Sequence, residues 1–134
     1  MPDSDYIIFG HFYGECWGEE CVEIFKIENE NLYEDTTDHY PFGNAPYDGM
    51  YVPLSSAKYE LVKDLVTHVP NQLLNETDTI IGIPDAYDQG GYYLELEEAG
   101  NVRFWMIDSD TGNIPGYLHA FTDTLNNYIG RISD

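Results

Sequence analysis

The two cysteines of the chain lie close together in the segment GECWGEEC, so thiol chemistry and metal binding are the first functions to consider. Cys16 and Cys21 are separated by four residues, and His11 lies just upstream. Zinc is usually bound by two close pairs of such ligands, and His39 would have to complete this set. A thioredoxin-like redox pair needs C-x-x-C, which is absent. The glycines in the segment favour a tight turn between two strands, with metal binding by His11, Cys16 and Cys21 as the alternative.

Two aspartates in IPDAYDQGG, residues 83–91, are candidates for acid–base or cation chemistry. Asp85 and Asp88 lie three positions apart, just before a Gly-Gly pair that lets backbone amides approach a ligand. They could act as a carboxylate pair or hold a divalent cation. The favoured prediction is simpler: a Pro-Asp turn that leads through glycine into the next strand.

The segment DSDTGN, residues 108–113, begins like a calcium loop. An EF-hand would need a ligand at position 112 and a glutamate near position 119, where the chain has Gly112 and His119. Aspartates ahead of a helix cap it and complement its dipole. The segment is therefore predicted to cap the last helix, and the sequence predicts no cofactor.

The charge of the chain restricts the partners it can have. Among 134 residues, 25 are acidic and five are basic, which gives a formal net charge of −20. Nucleic acids and anionic membranes are bound through Lys and Arg, so neither is an expected partner. An acidic surface speeds association with a basic protein, although the same charge would also serve solubility. Eleven acids fall in the first 40 residues against Lys26 alone, and this skew favours a partner surface.

Length and hydropathy predict a single domain, 1–134, in the cytoplasm. The apolar runs are too short to span a membrane, and MPDSDYIIFG has no basic region before its apolar stretch. In the cytoplasm, Cys16 and Cys21 would be reduced thiols.

The strand patterns predict an antiparallel sheet of about five strands. Segments 6–14, 21–28 and 28–35 are rich in β-branched and aromatic residues and form an N-terminal meander. Residues 91–98 alternate apolar and polar side chains before a turn, so a hairpin is predicted over 91–108. A short apolar strand or buried extended segment is predicted at 79–84.

Two helices are predicted, at about 56–69 and 114–132, because apolar residues recur there at helical spacing. Ser55 or Ser56 caps the first helix and Pro70 ends it. Residues 37–53 hold four Pro and Gly residues within nine positions, together with several aromatics. They predict an ordered loop that packs on the core or forms one wall of a pocket. The element order predicts an α+β domain with both helices on one face of the sheet.

Three short stretches together resemble a group of small bacterial proteins of unassigned activity. The stretches are G-x-C-x-G-x-x-C at 14–21, P-D-x-x-D-x-G-G at 84–91, and I-D-x-D-x-x-x-I-P-x-Y-L-x-x-F at 107–121. The resemblance implies a fold rather than a mechanism. In that group a cysteine often follows P-D, where this chain has Ala86. A cysteine cluster of the group would therefore be incomplete here, which makes metal binding less favoured.

Charge, size and the lack of a recognisable catalytic constellation favour a non-enzymatic protein that docks a basic partner. One form of this hypothesis is the immunity protein of a toxin pair, in which an acidic inhibitor covers the cationic cleft of a nuclease-like toxin. The candidate contact residues are Tyr13, Trp17, Tyr33, Glu19 and Glu20. Aromatic anchors ringed by charge are typical of tight interfaces.

Two other functions stay open as alternatives. The first is a small-ligand binder or hydrolase-like enzyme, with a site at loop 40–51 and at Asp85 and Asp88. The second is a zinc-stabilised structural module through Cys16 and Cys21. The sequence gives no indication of oligomeric state.

Overall fold

The structure is a computed structural model of the chain, and it describes residues 5–14, 21–41, 45–86 and 89–133. The predicted site residues that lie outside these ranges are Cys16, Trp17, Glu19, Glu20 and Asp88.

Seven strands form one mixed sheet. They are β1 Tyr6–Phe12, β2 Val22–Glu28, β3 Asn31–Asp35, β4 Tyr51–Pro53, β5 Ile80–Ile81, β6 Gly91–Glu98 and β7 Asn101–Asp108. Their order in the sheet is β4-β3-β2-β1-β6-β7-β5. Each neighbouring pair is antiparallel except β5 and β7, which run parallel.

The α+β class, the N-terminal meander and the 91–108 hairpin are confirmed, whereas the sheet has seven strands rather than about five and one of its pairs is parallel. The strand β4 has three residues and β5 has two, which is too short for any periodic pattern to register. Segment 79–84 does contain a strand. The strand β4 lies at the end of segment 37–53, which was predicted to be a loop throughout.

Two α-helices, α1 Ser56–Val62 and α2 His119–Ile132, cover one face of the sheet. Short 3₁₀ turns flank them at Leu65–His68, Asn71–Asn75, Thr111–Asn113 and Gly116–Leu118. The side chain of Ser55 accepts a hydrogen bond from the Lys58 amide, which confirms the predicted cap. Of the helices in the described ranges, none has the length and apolar character needed to cross a membrane.

Both helices are shorter than the predicted 56–69 and 114–132. After α1, the amide and the hydroxyl of Thr67 both donate to the Asp64 carbonyl, at 3.0 Å and 2.7 Å, and this three-residue spacing tightens the chain into a 3₁₀ turn. Before α2, Pro115 has an extended ψ of 150°, so the α-helix begins only at His119.

The apolar positions predicted for the last helix are all buried, and four of them lie on α2. They are Ile114 and Leu118, which precede α2, and Phe121, Leu125, Ile129 and Ile132, each at most 8 % exposed. In α1 the predicted stripe is less exact, because Val62 is buried but Leu61 is 45 % exposed. The helix-side core therefore depends mainly on α2.

The second face of the sheet is partly covered by the aromatic loop, which comprises residues 36–50 apart from 42–44. The ring of Tyr40 lies 5.2 Å from the ring of Phe12, and the ring of Tyr47 lies 5.8 Å from that of Tyr93. Tyr93 is fully buried as a result. The prediction that this loop packs on the core is confirmed, and β1 is apolar on both faces because both of its faces are covered.

Two tight hairpin turns place residues other than glycine in the left-handed region. The β2–β3 turn has Asn29 at φ 52° and Glu30 at φ 64°, and the β6–β7 turn has Ala99 at φ 51° and Gly100 at φ 84°. Two-residue turns of this kind need a positive φ at both positions. Alanine at such a position is strained, since its Cβ crowds the following carbonyl.

We expect Ala99→Gly to raise the free energy of unfolding by about 0.5–1 kcal/mol, because glycine adopts a positive φ without strain. The matched control is Gly100→Ala, where a Cβ would meet no atom within 4 Å. Any loss there comes from the backbone alone and is expected to be about 1–2 kcal/mol. Urea unfolding of both variants measures this, and equal effects of one sign would contradict the turn geometry.

Candidate functional site

Asp35, at the end of β3, fastens the aromatic loop to the sheet. Its carboxylate is 2 % exposed and accepts hydrogen bonds from the amides of Thr37, Asp38 and Met50 at 2.9–3.0 Å. The Tyr47 hydroxyl donates to it at 2.6 Å. Burial would raise the pKa of Asp35, but the hydrogen bonds from Tyr47, Thr37 and Met50 outweigh burial and hold that pKa below its usual value.

Asp85 fastens three segments at the end of β1. Its carboxylate accepts hydrogen bonds from the Gly14 amide at 2.6 Å, the Tyr40 hydroxyl at 2.7 Å and the Gly90 amide at 3.0 Å. Its own backbone has φ 60°, which aspartate tolerates better than most residues. The structure thus supports the predicted turn for Asp85. Its carboxylate has a structural role, because it binds three donors within the chain.

Asp108, at the end of β7, is fully buried and has four hydrogen-bond donors. They are the amides of Ile83 and Asp110 and the side chains of Gln89 and Asn113, all at 2.8–3.0 Å. Burial acts to raise the pKa of Asp108, but these donors lower it overall. Asp110 in turn accepts from the Gly112 amide and caps a 3₁₀ turn, whereas α2 begins at His119 without a side-chain cap. The prediction that the DSDTGN segment caps the last helix is therefore wrong, because the extended Pro115 separates the segment from α2.

Glu95 is a further buried carboxylate, on the face of the sheet opposite the helices. It is 2 % exposed and accepts hydrogen bonds from the hydroxyls of Tyr6 and Tyr93, both at 2.6 Å, and from the Tyr47 amide at 3.3 Å. Burial and the charge of Glu95 raise the pKa of both phenols. They therefore remain neutral donors at ordinary pH.

Beyond the aromatic loop, part of this face stays partly open to solvent. The open face, as we name it, consists of Tyr6, Lys26, Glu28, Tyr33, Glu97 and Phe104, all half-buried. In the strand register, Tyr6 lies between Glu28 on β2 and Glu97 on β6. Tyr33 lies beside Lys26. The open face is therefore aromatic and acidic, with one cation in it.

Lys26 is bound within the open face. Its ammonium lies 3.4 Å from a carboxylate oxygen of Glu28, 4.6 Å from the ring centroid of Tyr6 and 5.4 Å from that of Tyr51. The hydroxyl of Tyr51 is buried and has no hydrogen-bond partner among the described residues. Burial, followed by the charges of Asp35 and Glu95, raises the pKa of Tyr51.

His11 and Tyr13 lie at the end of β1. The ring of Tyr13 covers Gly90 so closely that a Cβ on that glycine would lie 2.2 Å from it. A nitrogen of His11 lies 3.4 Å from a carboxylate oxygen of Glu23. Burial, with smaller contributions from Tyr13 and Asp123, raises the pKa of Tyr92 to about 12. This end is held by packing and hydrogen bonds, and Tyr13 remains 37 % exposed.

Cys21 is buried and disulfide-bonded. A sulfur in a disulfide is not a thiolate, so Cys21 in this form is not a metal ligand. The sequence contains one other cysteine, Cys16, which lies outside the described residues. No three His, Cys, Asp or Glu side chains within those residues come together in a way that could hold a metal ion.

The aromatic loop also lines a small cleft of about 200 Å³. Its lining comprises residues 39–41 and 45–48, including Tyr40 and Tyr47, and Asp85 is not part of it. Asp85 contacts the loop instead through the Tyr40 hydroxyl, and the site predicted at this loop and Asp85 stays a prediction. Asp88, the second member of the predicted pair, lies outside the described residues.

Of the predicted contact residues, the two that lie in the described ranges, Tyr13 and Tyr33, are far apart. Tyr33 is level with Ile8 across β2 and β1, and Tyr13 lies five residues farther along the chain from Ile8. These positions are roughly 16 Å apart along the strand direction and roughly 10 Å apart across it. Tyr33 is part of the open face, whereas Tyr13 packs against the Asp85 turn at Gly90.

Sequence reasoning missed most of the open face. Tyr6, Lys26, Glu28 and Phe104 are on three strands whose adjacency depends on the sheet order. One signal was present: the alternation in 91–98 placed Glu95 and Glu97 on the face away from the apolar one. Nothing in that alternation indicated that Glu95 would be buried, since its cover comes from the aromatic loop.

Comparison with protein-family models and with the sequences of curated proteins finds no match for the chain. The resemblance of three short stretches to small bacterial proteins stays a prediction.

We expect Asp35→Asn to lower the free energy of unfolding by about 2–3 kcal/mol, because an amide NH₂ group would face hydrogen-bond donors in a buried site. The amides of Thr37 and Met50 should exchange with deuterium faster as the loop is released. Asp48→Asn, an exposed position on the same loop, makes the same chemical change and should alter stability by less than about 0.5 kcal/mol. Equal losses in the two variants would contradict the fastening role of Asp35.

We expect the free energy of unfolding to decrease as the pH is lowered, but only below about pH 4. The pKa values of Asp35 and Asp108 are lower in the folded state than the unfolded value of about 3.9. A lowered folded-state pKa contributes stability that is present above the unfolded value and is lost as the pH falls through the folded one. Urea unfolding between pH 7 and pH 2 measures this.

The control for this pH dependence is the pair Asp108→Asn and Asp123→Asn. The first removes a carboxylate with a lowered pKa, so the stability of this variant should depend less steeply on pH below pH 4. The second removes an exposed carboxylate and should leave the slope as in the wild type. If the free energy of unfolding of Asp108→Asn depends on pH below pH 4 as steeply as that of the wild type, the lowered pKa of Asp108 is not a cause of the pH dependence.

Proposed function

We propose that this protein is a small acidic binding protein that docks a basic protein partner through the open face. The observation that carries the proposal is the state of its cations: all five basic side chains have partners within the chain. Lys26 contacts Glu28 and Lys63 contacts Glu60, at 3.4 Å and 2.7 Å. Lys58, Arg103 and Arg131 donate to backbone carbonyls.

This arrangement leaves a surface field that is almost wholly negative. Five carboxylates are buried among the described residues, namely Asp5, Glu23, Asp35, Glu95 and Asp108. The remaining described carboxylates are exposed or half-buried. With no free cation to meet a phosphate, the surface is unsuited to nucleic acid and suited to a basic protein, whose approach it would accelerate.

The open face supplies the local chemistry for docking. Tyr6 and Tyr33 offer aromatic area at low conformational cost, and Glu28 and Glu97 flank Tyr6 with negative charge. Aromatic residues with carboxylates beside them bind guanidinium and ammonium groups through stacking and charge. An inhibitor that covers the cationic cleft of a nuclease-like toxin is the specific form of this function that we propose.

Catalysis has less support from the same residues. The tyrosines at the open face and under the loop have raised pKa values, while Asp35 and Asp108 have lowered ones. Both shifts move these groups away from neutral pH, whereas a general acid or base works best with a pKa near the working pH.

We expect a nona-arginine peptide to bind at the open face, with affinity that falls steeply as NaCl rises from 50 to 200 mM. Glu28→Gln combined with Glu97→Gln should weaken binding about tenfold, which corresponds to about 1.4 kcal/mol. Tyr33→Ala, which changes no charge, should weaken binding with little change in the salt dependence. Calorimetric titration and amide chemical-shift mapping measure these effects.

The matched control is Asp48→Asn combined with Asp123→Asn, which changes net charge by the same amount at exposed positions outside the open face. It should weaken binding less than about twofold, as expected from long-range charge alone. If both pairs weaken binding equally, or if shifts spread evenly over the surface, the acidity acts non-specifically and the proposed function is rejected.

A further inference from the structure

A second cavity adjoins the open face at the end of the sheet where the β2–β3 hairpin turns. This hairpin cleft has a volume of about 310 Å³ and lies between β1, the hairpin and α1. Tyr6 and Glu28 contribute to its lining, although the Tyr6 hydroxyl and the Glu28 carboxylate make their contacts on the open face. Aliphatic side chains form much of its wall, and Tyr59 closes it from α1.

The charges in the hairpin cleft are unbalanced. Asp5, Glu28 and Glu30 line it, with Lys63 as the one basic lining residue. The ammonium of Lys63 lies 2.7 Å from Glu60, which is not part of the lining. Glu28 has Lys26 at 3.4 Å, whereas Asp5 and Glu30 form no ion pair with any described residue.

Asp5 is the most unusual of these carboxylates. It is 7 % exposed and accepts one hydrogen bond, from the Ala99 amide at 3.1 Å. Buried carboxylates are normally paired or hydrogen-bonded at several positions, as Asp35 and Asp108 are in this protein. A buried acid with a single donor, at the wall of an open cleft, keeps acceptor capacity that a cation from outside could use.

We propose that the hairpin cleft receives one arginine side chain of the basic partner, with Asp5 and Glu30 binding its guanidinium. This inference rests on the proposed function and names the anchor that the partner would supply. The cleft is at the small end of the range of ligand pockets, about 300–1,000 Å³, so it suits one side chain rather than a folded segment.

Arginine fits this lining better than lysine does. Its guanidinium binds carboxylates through a planar fork of N–H groups and stacks on aromatic rings, and it is weakly hydrated compared with an ammonium. The cleft offers the carboxylates of Asp5 and Glu30 together with the ring of Tyr59. The aliphatic stem of arginine would lie against the apolar wall while the charged end meets the acids.

The experiment is a titration of the full chain with N-acetyl-arginine amide, followed by amide chemical shifts. The matched probe is N-acetyl-citrulline amide, which has nearly the same shape without the charge. We expect the arginine probe to shift the amides of the hairpin turn, the start of β1 and α1, with saturation. We expect the citrulline probe to leave them unchanged. N-acetyl-lysine amide should bind more weakly than the arginine probe.

Two variants test the assigned acids. Asp5→Asn keeps an oxygen that can accept from the Ala99 amide, and Glu30→Gln changes an exposed turn residue that the fold does not need. Each should weaken binding of the arginine probe about tenfold, as loss of a charged hydrogen bond does. Asp123→Asn, on α2, should leave the affinity within about twofold.

The outcomes separate this inference from the proposed function. Absent or non-saturating shifts in the cleft, equal binding of the citrulline probe, or full affinity in both cleft variants would overturn the arginine site. In that case nona-arginine binding that still depends on Glu97 and Tyr33 would leave the open face standing. Saturable cleft binding without localised peptide binding at the open face would retain the site and reject the wider docking surface.

Discussion

A carboxylate removed from water must receive several hydrogen bonds, and this requirement organises the loops of the protein. The buried Asp35 and Asp108 and the half-buried Asp85 each lie where the chain leaves a strand or makes a turn. Each collects three or more donors, two of them from segments distant in sequence. The donors are mostly backbone amides of irregular segments, which have no ladder partner and would otherwise be unsatisfied. The acids and the loops therefore satisfy one another, and neither arrangement would be stable without the other.

The position of the aromatic loop follows from this requirement and determines what the second face of the sheet can do. Because Asp35 and Glu95 bind the loop through Tyr47, the loop covers Tyr93 and Phe12 but leaves Tyr6 and Tyr33 half-buried. A helix pair on that face would have closed it completely. One face of the sheet is therefore covered by the helices. The other face is covered by the aromatic loop at one end and remains partly exposed at the other.

The sequence predicted those features that depend on local periodicity. The six apolar positions predicted for the last helix and the 91–108 hairpin follow from spacing and turn chemistry within one segment. Helix ends failed because Thr67 and Pro115 impose local geometry that a stripe of apolar residues does not reveal. Most of the candidate site was beyond reach, since Tyr6, Glu28 and Glu97 become neighbours only through the strand order. The burial of Asp5 and Glu95 depends likewise on packing between distant segments, and composition alone made them look like surface charges.

The strand register also bears on whether the acidity serves only solubility. Glu28 and Glu97 flank Tyr6 from both sides in one row, roughly 10 Å apart, and Lys26 pairs with only one of them. Glu95 lies at the hydroxyl of the same tyrosine, and Lys26 lies over its ring. Under the proposed function, the excess of carboxylates around Tyr6 would attract a positive group of the partner, in addition to its effect on solubility.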